Sequence, residues 1–480
     1  MKHKSLGIKF LSFLSPALAV TASAQAPDPA KAPAPATASA QAPAVDPAKA
    51  PVPVKSAEAK AAPQKAENFQ EMFTKGQADG QIRLRYEYVD QDNGKPHSWA
   101  VTSRLRLGFR TAEIGGLSFY GQGHGNVTPW DEYSDGRQGK NSTRDIIADP
   151  DGFRLHQLYA DMKWIPDTLV RVGRQEINLD DQRFVGSVDW RQNGQSFDGI
   201  LVQNKSLDKL ILTAAYLTEI QSILLKPTSD LSQGSNELNS LGILHARYNY
   251  AGKHNLSAFA YLLDCDADNK TKAVNGERIE RDNITEGLRL DGSFDIDEKN
   301  AINYDVTGAL QQDFNGGNGG HDGEFLSAYL AYEIEKKYSL GGGYSYISGA
   351  EDSGANYGFD TLAGTAHKFN GWADLFTGTN GGAWKVGLQD LWIDASVKVD
   401  DVGKFTAAYH WFYTANDFSG TKDFDGHLGD EIDLMWSRDF VIFGQKINAL
   451  AKYGYYFADE ATGNPTSDKQ IVWAQLEYKF

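Results

Sequence analysis

From residue 81 onward the chain alternates polar and apolar positions with a period of two. Over 81–88, Gln81, Arg83, Arg85 and Glu87 share one side and Ile82, Leu84, Tyr86 and Tyr88 the other. Residues 104–110 repeat the pattern, and over 301–307 Ile302, Tyr304 and Val306 oppose Asn303, Asp305 and Thr307. Such alternation predicts β-strands in a sheet with one wet and one greasy face. Strands are predicted near 80–89, 100–111, 116–126, 153–165, 168–175, 195–204, 208–218, 240–250 and 254–264. A second set falls near 283–295, 300–313, 324–335, 337–348, 386–399, 403–415, 428–438, 444–457 and 469–480. The links between them alternate in length. Tight turns at 113–116, 166–167, 251–253, 297–300 and 400–403 interleave with long Gly-, Asp- and Asn-rich links such as 127–152, 219–239 and 349–385. Short turns at one rim and long loops at the other predict an all-β fold, a transmembrane antiparallel β-barrel of about 18 strands with water inside. The last strand agrees: Val472, Ala474, Leu476, Tyr478 and Phe480 point one way, and Trp473, Gln475, Glu477 and Lys479 the other.

The chain before the barrel has a different character. Lys2, Lys4 and Lys9 precede an apolar run over 10–20 that ends in Ala22, Ser23 and Ala24, which predicts a signal peptide over 1–24 cleaved after Ala24. Residues 25–67 are mostly Ala, Pro and Lys, with an Asp-Pro-Ala-Lys-Ala-Pro unit at 28–33 that recurs at 46–51. That segment cannot bury a core and is expected to be a disordered periplasmic linker, either a docking arm for a periplasmic partner or a tether without one. Phe69, Met72 and Phe73 stand at helical spacing in a short lead-in over 68–79, and the barrel is expected to occupy 80–480.

Composition narrows the function. Charged residues are 23% of the 480 and the mean hydropathy is -0.46, which excludes a bundle of spanning helices. The 22 Tyr, 24 Phe and 10 Trp fit interfacial girdles, Tyr344, Tyr346, Trp411, Tyr413, Tyr453, Tyr455 and Phe457 among them. A net charge of -16 argues against a nucleic-acid partner. The single cysteine, Cys265, excludes disulfides and Cys-based zinc sites, and the His residues lack metal-ligand spacing, so no metal or cofactor is expected. The acidic stretch at 264–269 imitates the start of a calcium loop but has Asn269 where Gly is needed. No nucleophile elbow is present, and no catalytic residues are assigned.

A barrel acts through its inner face and its loops. Arg83, Arg85, Arg104 and Arg106 lie on the polar side of neighbouring strands, and Arg154, Arg171, Arg247 and Arg289 also alternate against greasy neighbours. Guanidinium groups facing a water-filled lumen would attract carboxylates or phosphates. Glu87, Asp161, Asp291, Asp305, Glu333 and Asp433 could neutralise much of that ladder.

Two stretches carry a resemblance. Residues 172–199 run from Val-Gly-Arg-Gln through Asp189-Trp190-Arg191 to Phe197-Asp198-Gly199, and residues 359–376 contain His367-Lys-Phe-Asn-Gly-Trp-Ala-Asp374. Together they resemble the alginate-export family of outer-membrane barrels. The resemblance implies an eighteen-stranded passive channel that carries an anionic saccharide or another small anion past an arginine-lined constriction. It also implies cationic contacts from Arg174, Arg183 and Arg191, an orienting acid at Asp198, and an inward-folded outer loop bearing Asn370, Trp372 and Asp374. The partners so implied are outer-membrane lipid and lipopolysaccharide outside and the anionic solute within. A broad-specificity porin and a structural or adhesion barrel are the competing readings.

Overall fold

The computed structural model describes residues 64–136, 141–225, 237–266, 282–315, 322–349, 358–361, 363–376, 387–415, 426–460 and 466–480. The signal segment, the linker up to residue 63 and the end of the calcium-like stretch lie outside these residues.

A short helix, α1 (Phe69–Thr74), precedes β1 (Gln77–Gln91), β2 (Ser98–Arg110), β3 (Leu117–Glu132), β4 (Gly152–Met162), β5 (Thr168–Gln175) and β6 (Ser196–Asn204). Then follow β7 (Leu210–Gln221), β8 (Glu237–Ala251), β9 (His254–Asp266), β10 (Asn283–Asp295), β11 (Ala301–Asp313) and β12 (Asp322–Ile334). The last six are β13 (Tyr338–Ile347), β14 (Leu388–Val399), β15 (Gly403–Tyr413), β16 (His427–Ile442), β17 (Gln445–Ala458) and β18 (Lys469–Lys479). Each strand pairs antiparallel with its successor, and β18 pairs with β1 from Gln81↔Lys479 to Gln91↔Lys469, so the 18-stranded sheet closes without a free edge. The eighteen predicted strands are all present, several running a few residues beyond the expected ends. No described helix is long and apolar enough to cross a membrane; the strands do the crossing.

Burial is inverted relative to a soluble protein. Leu84 is 44% exposed while its neighbour Arg85 is 0% exposed. Outside, Ile82, Leu105, Leu107, Leu288, Leu330, Leu340, Ile393 and Leu476 lie open. Inside, Arg83, Arg104, Arg106, Arg289, Asp291, Asp305, Glu431 and Asp433 are enclosed. A greasy outer wall around polar contents is stable only in hydrocarbon.

The short connections, such as 111–116, 252–253, 400–402 and 443–444, leave the strands at one rim, and the long ones, those after β5 and β13 above all, leave at the other. At the short-turn rim, Gln64 and Ala66 exchange backbone hydrogen bonds with Glu113, and Ala112 donates to the Met72 carbonyl. Asn68 caps α1 by accepting from the Glu71 amide at 3.0 Å, and Glu71 returns the bond to the Glu67 amide at 2.9 Å.

Candidate functional site: a constriction made by two inward loops

Two outer connections fold into the lumen and meet. Val185 and Ala363 form a parallel bridge, Gly186 donates to the Ala363 carbonyl at 2.9 Å, and Thr365 donates to the Gln182 carbonyl at 2.8 Å. Phe184 of the first loop packs on Phe259 and Phe325 of the wall and on Phe359 of the second. Trp190 meets Trp473 edge-on, with ring centroids 5.5 Å apart. The loops are thus anchored on opposite arcs of the barrel by apolar side chains that point inward.

The first polar group sits where β1 and β2 face residues 189–192. Arg83 Nη1 donates to the Asp189 carbonyl at 2.8 Å, and Arg85 Nη2 donates to that of Trp190 at 2.7 Å, with the Arg85 guanidinium 4.2 Å from the Trp190 ring centre. The Asp189 carboxylate lies 2.9 Å from Arg104 Nη1 and 2.8 Å from Arg106 Nη1. Burial alone would raise the Asp189 carboxyl; Arg104, Arg106 and Arg83 hold it well below the usual range. Arg191 reaches Glu87 at 2.8 Å and Asp374 of the second loop at 2.8 Å. Burial opposes its charge, but Glu87, Asp374 and Asp149 more than restore it and raise its pKa.

The second group lies on β8 to β11. Arg247 binds Asp180 at 3.0 Å and Asp291 at 2.8 Å, while Arg289 pairs with Asp305 and lies 3.8 Å from Asp180. Arg183 differs. It is buried, its guanidinium lies 3.6 Å from the Phe369 ring centre, and its side chain reaches Asn370 Oδ1 only at 3.4 Å. Burial pushes its pKa down to about 10, against the pull of Asp181 and Asp390. Lys368 beside it donates to the Asp181 carbonyl at 2.9 Å.

The third group holds the second loop to the wall. Asn370, Gly371 and Asp374 all take positive φ, which aims successive amides outward: Trp372 N donates to Asp433 at 3.1 Å and Ala373 N to Glu431 at 2.7 Å. Gly371 is required there, because at φ +80° a Cβ would lie 2.5 Å from Glu431 Oε2. Lys452 of β17 stands among Trp372, Trp190 and Trp473, with Nζ 3.8, 4.5 and 5.2 Å from their ring centres. It lies 2.7 Å from His367 Nε2, and His367 Nδ1 lies 2.6 Å from Asp374 Oδ1. Burial drives the His367 pKa down to about 3, so its ring is neutral. Nε2 then accepts from Lys452 Nζ and Nδ1–H donates to the carboxylate.

The sequence-predicted residues therefore separate. Arg83, Arg85, Arg104, Arg106 and Arg191 converge on one side of the two inward loops, with Arg183, Asn370, Trp372 and Asp374 on the loops and Arg247 and Arg289 on the far arc. Arg154 faces inward near them, donating to the carbonyls of Ser222 at 2.8 Å and of Gly194. Arg171 lies toward the short-turn rim, in a two-pronged contact with Asp161 at 2.6 and 2.9 Å. Arg174 and Asp198 do not join the lumen. They pair with each other at 2.7 Å, and Arg174 registers with exposed Leu158, which places both on the outer face near the long-loop rim. Arg171 faces inward, and residues three apart in a strand cannot share a face, so Arg174 must face outward. Among the expected neutralising acids, Glu87, Asp161, Asp291 and Asp305 do pair with arginines. Asp433 instead accepts a loop amide. Lys452 and Glu431 were not anticipated, since one Lys between Ala451 and Tyr453 looks like any lumen-facing position. Among the described residues no three His, Cys, Asp or Glu side chains are arranged to hold a metal.

A closed, greasy-walled 18-strand barrel of this kind is an outer-membrane porin-type channel of a bacterium. Its sequence matches the alginate-export family over residues 78–466, and the chain belongs to that family. No curated protein matches it by sequence. Similar solved structures come from Pseudomonas aeruginosa. OpdK, crystallised with vanillate, has 12% identity and a TM-score of 0.63 over 85% of this chain and 99% of its own. OccK11 (OpdR) has 15% identity and a TM-score of 0.61 over 87% and 98%, and OpdQ 14% and 0.60 over 85% and 99%. At such identities the likeness is one of fold. Family and fold are those of transport barrels, not of enzymes.

Proposed function

We propose that this passive channel favours anions and carries an acidic saccharide or another small anionic solute through the two-loop constriction. The observation that carries the reading is a set of enclosed guanidinium groups whose donors are not all met. Among the described residues, Arg104 Nε, Arg106 Nη2 and Arg183 Nε are buried with no hydrogen-bond acceptor, and the Arg183 side chain finds only the distant Asn370 oxygen; the unmet carboxylate oxygens of Asp149, Asp291, Glu431 and Asp433 are buried as well. Each unmet donor costs about 1–3 kcal/mol, a cost that a carboxylate would relieve where a guanidinium turns toward it. Contacts with Asp189 and Glu477 keep Arg104 and Arg106 exchangeable, the condition for entry and release. The vanillate in OpdK is itself a carboxylate, an analogy of architecture alone. A broad diffusion porin is the second reading, favoured by the near-matching of the wall arginines by Asp161, Asp291, Asp305 and Glu477 and of the loop's Arg191 by Glu87.

Reversal potentials in planar bilayers under a salt gradient test this. Anion preference that falls several-fold in Arg183→Gln/Lys368→Gln, both on loops so that the wall is spared, supports the first reading. A pore without ion preference supports the second, and no conductance supports a structural or adhesive barrel.

A further inference from the structure

We propose that α1 is an interfacial anchor seated in the periplasmic leaflet, with Phe69 and Phe73 as its lipid-inserted side chains. The helix has two apolar faces. Met72, only 3% exposed, packs on Ala66 and Ala112. Phe69 and Phe73, 73% and 51% exposed, touch each other edge-on at 5.2 Å. Two aromatic rings one helical turn apart and open to the surroundings form a face that water does not favour.

What covers that face follows from its level. Backbone hydrogen bonds tie residues 64–72 to the turn at 111–116, so α1 sits at the rim of short turns. The other turns of that rim carry exposed apolar tips: Trp164, Ile165, Leu207, Ile296, Val402 and Phe443. Side chains of this kind, repeated around the circumference, mark where hydrocarbon gives way to headgroups. The lipid wall is also continuous with the start of β1. The Phe109 ring, on the outer face of β2, lies so close to Gly76 that a Cβ there would be 2.3 Å from it. The Phe pair thus extends an existing lipid surface at the depth where amphipathic helices lie. The result is that Gln64 is held at the circumference, beside the β2–β3 turn.

The test uses the full chain with Cys265→Ser, reconstituted in vesicles of phosphatidylethanolamine and phosphatidylglycerol. An environment-sensitive fluorophore is attached at Phe73→Cys, with Glu298→Cys on another turn of the same rim as the aqueous reference. The expected result is blue-shifted emission at 73 that loses most of its intensity to spin-labelled acyl chains and little to iodide. Phe69→Ser/Phe73→Ser, which leaves the Met72 contact in place, should leave the barrel folded while exposing the chain near Gln64 to protease. Iodide quenching at 73 equal to that at 298 overturns the proposal. So does protection from both quenchers, which would mean that protein covers the face.

Discussion

Replacing Asp374 by Asn should loosen the second loop without unfolding the barrel. Asp374 joins the loop's own His367, at 2.6 Å, to Arg191 of the first loop, at 2.8 Å. The amide keeps size and one acceptor oxygen but removes the charge. Arg191 is not orphaned, since both Glu87 oxygens remain at 2.8 and 3.1 Å. Breaking a buried pair outright costs about 3–5 kcal/mol. The retained acceptor returns about 1 kcal/mol, which leaves roughly 2–4. At about 1.4 kcal/mol per tenfold, the ratio of released to docked loop should rise about 30- to 1,000-fold. Docking should still dominate, because the bonds from Trp372 and Ala373 to Asp433 and Glu431 are untouched. Single-channel recordings should therefore show brief high-conductance openings far more often than in the parent, at an unchanged main level. If the variant runs as a folded barrel on unheated gels yet opens no more often, the Asp374 bridge does not hold the loop.

Acid should act on the same contact. With the His367 pKa at about 3 when docked and about 6.5 when released, the released loop takes up the proton first. The His367 contribution to docking is therefore full above pH 7 and is lost as pH falls from 6.5 toward 3. By pH 5 the loss is about 2 kcal/mol. Open probability should rise between pH 7.5 and 5, and His367→Gln should flatten the response; a fall, or a rise that survives the substitution, contradicts it. On the wall, Leu105→Arg puts a charge on the lipid face near the middle of β2 and should cost about 2–4 kcal/mol in urea unfolding from vesicles. A loss below about 0.5 kcal/mol, the scale of ordinary surface changes, would mean that Leu105 does not face hydrocarbon.

The wall was legible because a membrane barrel writes its burial into every second residue. Gln81 to Tyr88 and Val472 to Phe480 declare their faces through residue type alone, and tight turns such as that at Gly252 give the up-and-down order. The interior was less legible. Inward parity selects Arg83, Arg85, Arg104 and Arg106, but not the Asp189 that Arg83, Arg104 and Arg106 share, because Asp189 reaches them through a loop whose path no periodicity records. Lys452 acquires meaning only when Trp190, Trp372 and Trp473, distant in sequence, close around it. Arg174 is the opposite case: strand parity against Arg171 argued for the outer face, and a motif-level resemblance obscured it.

The contents of the lumen at this level belong to two connections and not to the staves. Lipid and strand register dictate what the cylinder tolerates outside, whereas residues 176–195 and 358–376 answer to each other and to a few inward anchors. A lineage can therefore rewrite what passes by trading these two segments as a matched set, leaving the membrane-facing shell and its assembly unaltered. Exchanging one segment alone would strand half of the Arg191–Asp374 and Val185–Ala363 joints, so the pair is the natural unit for grafting.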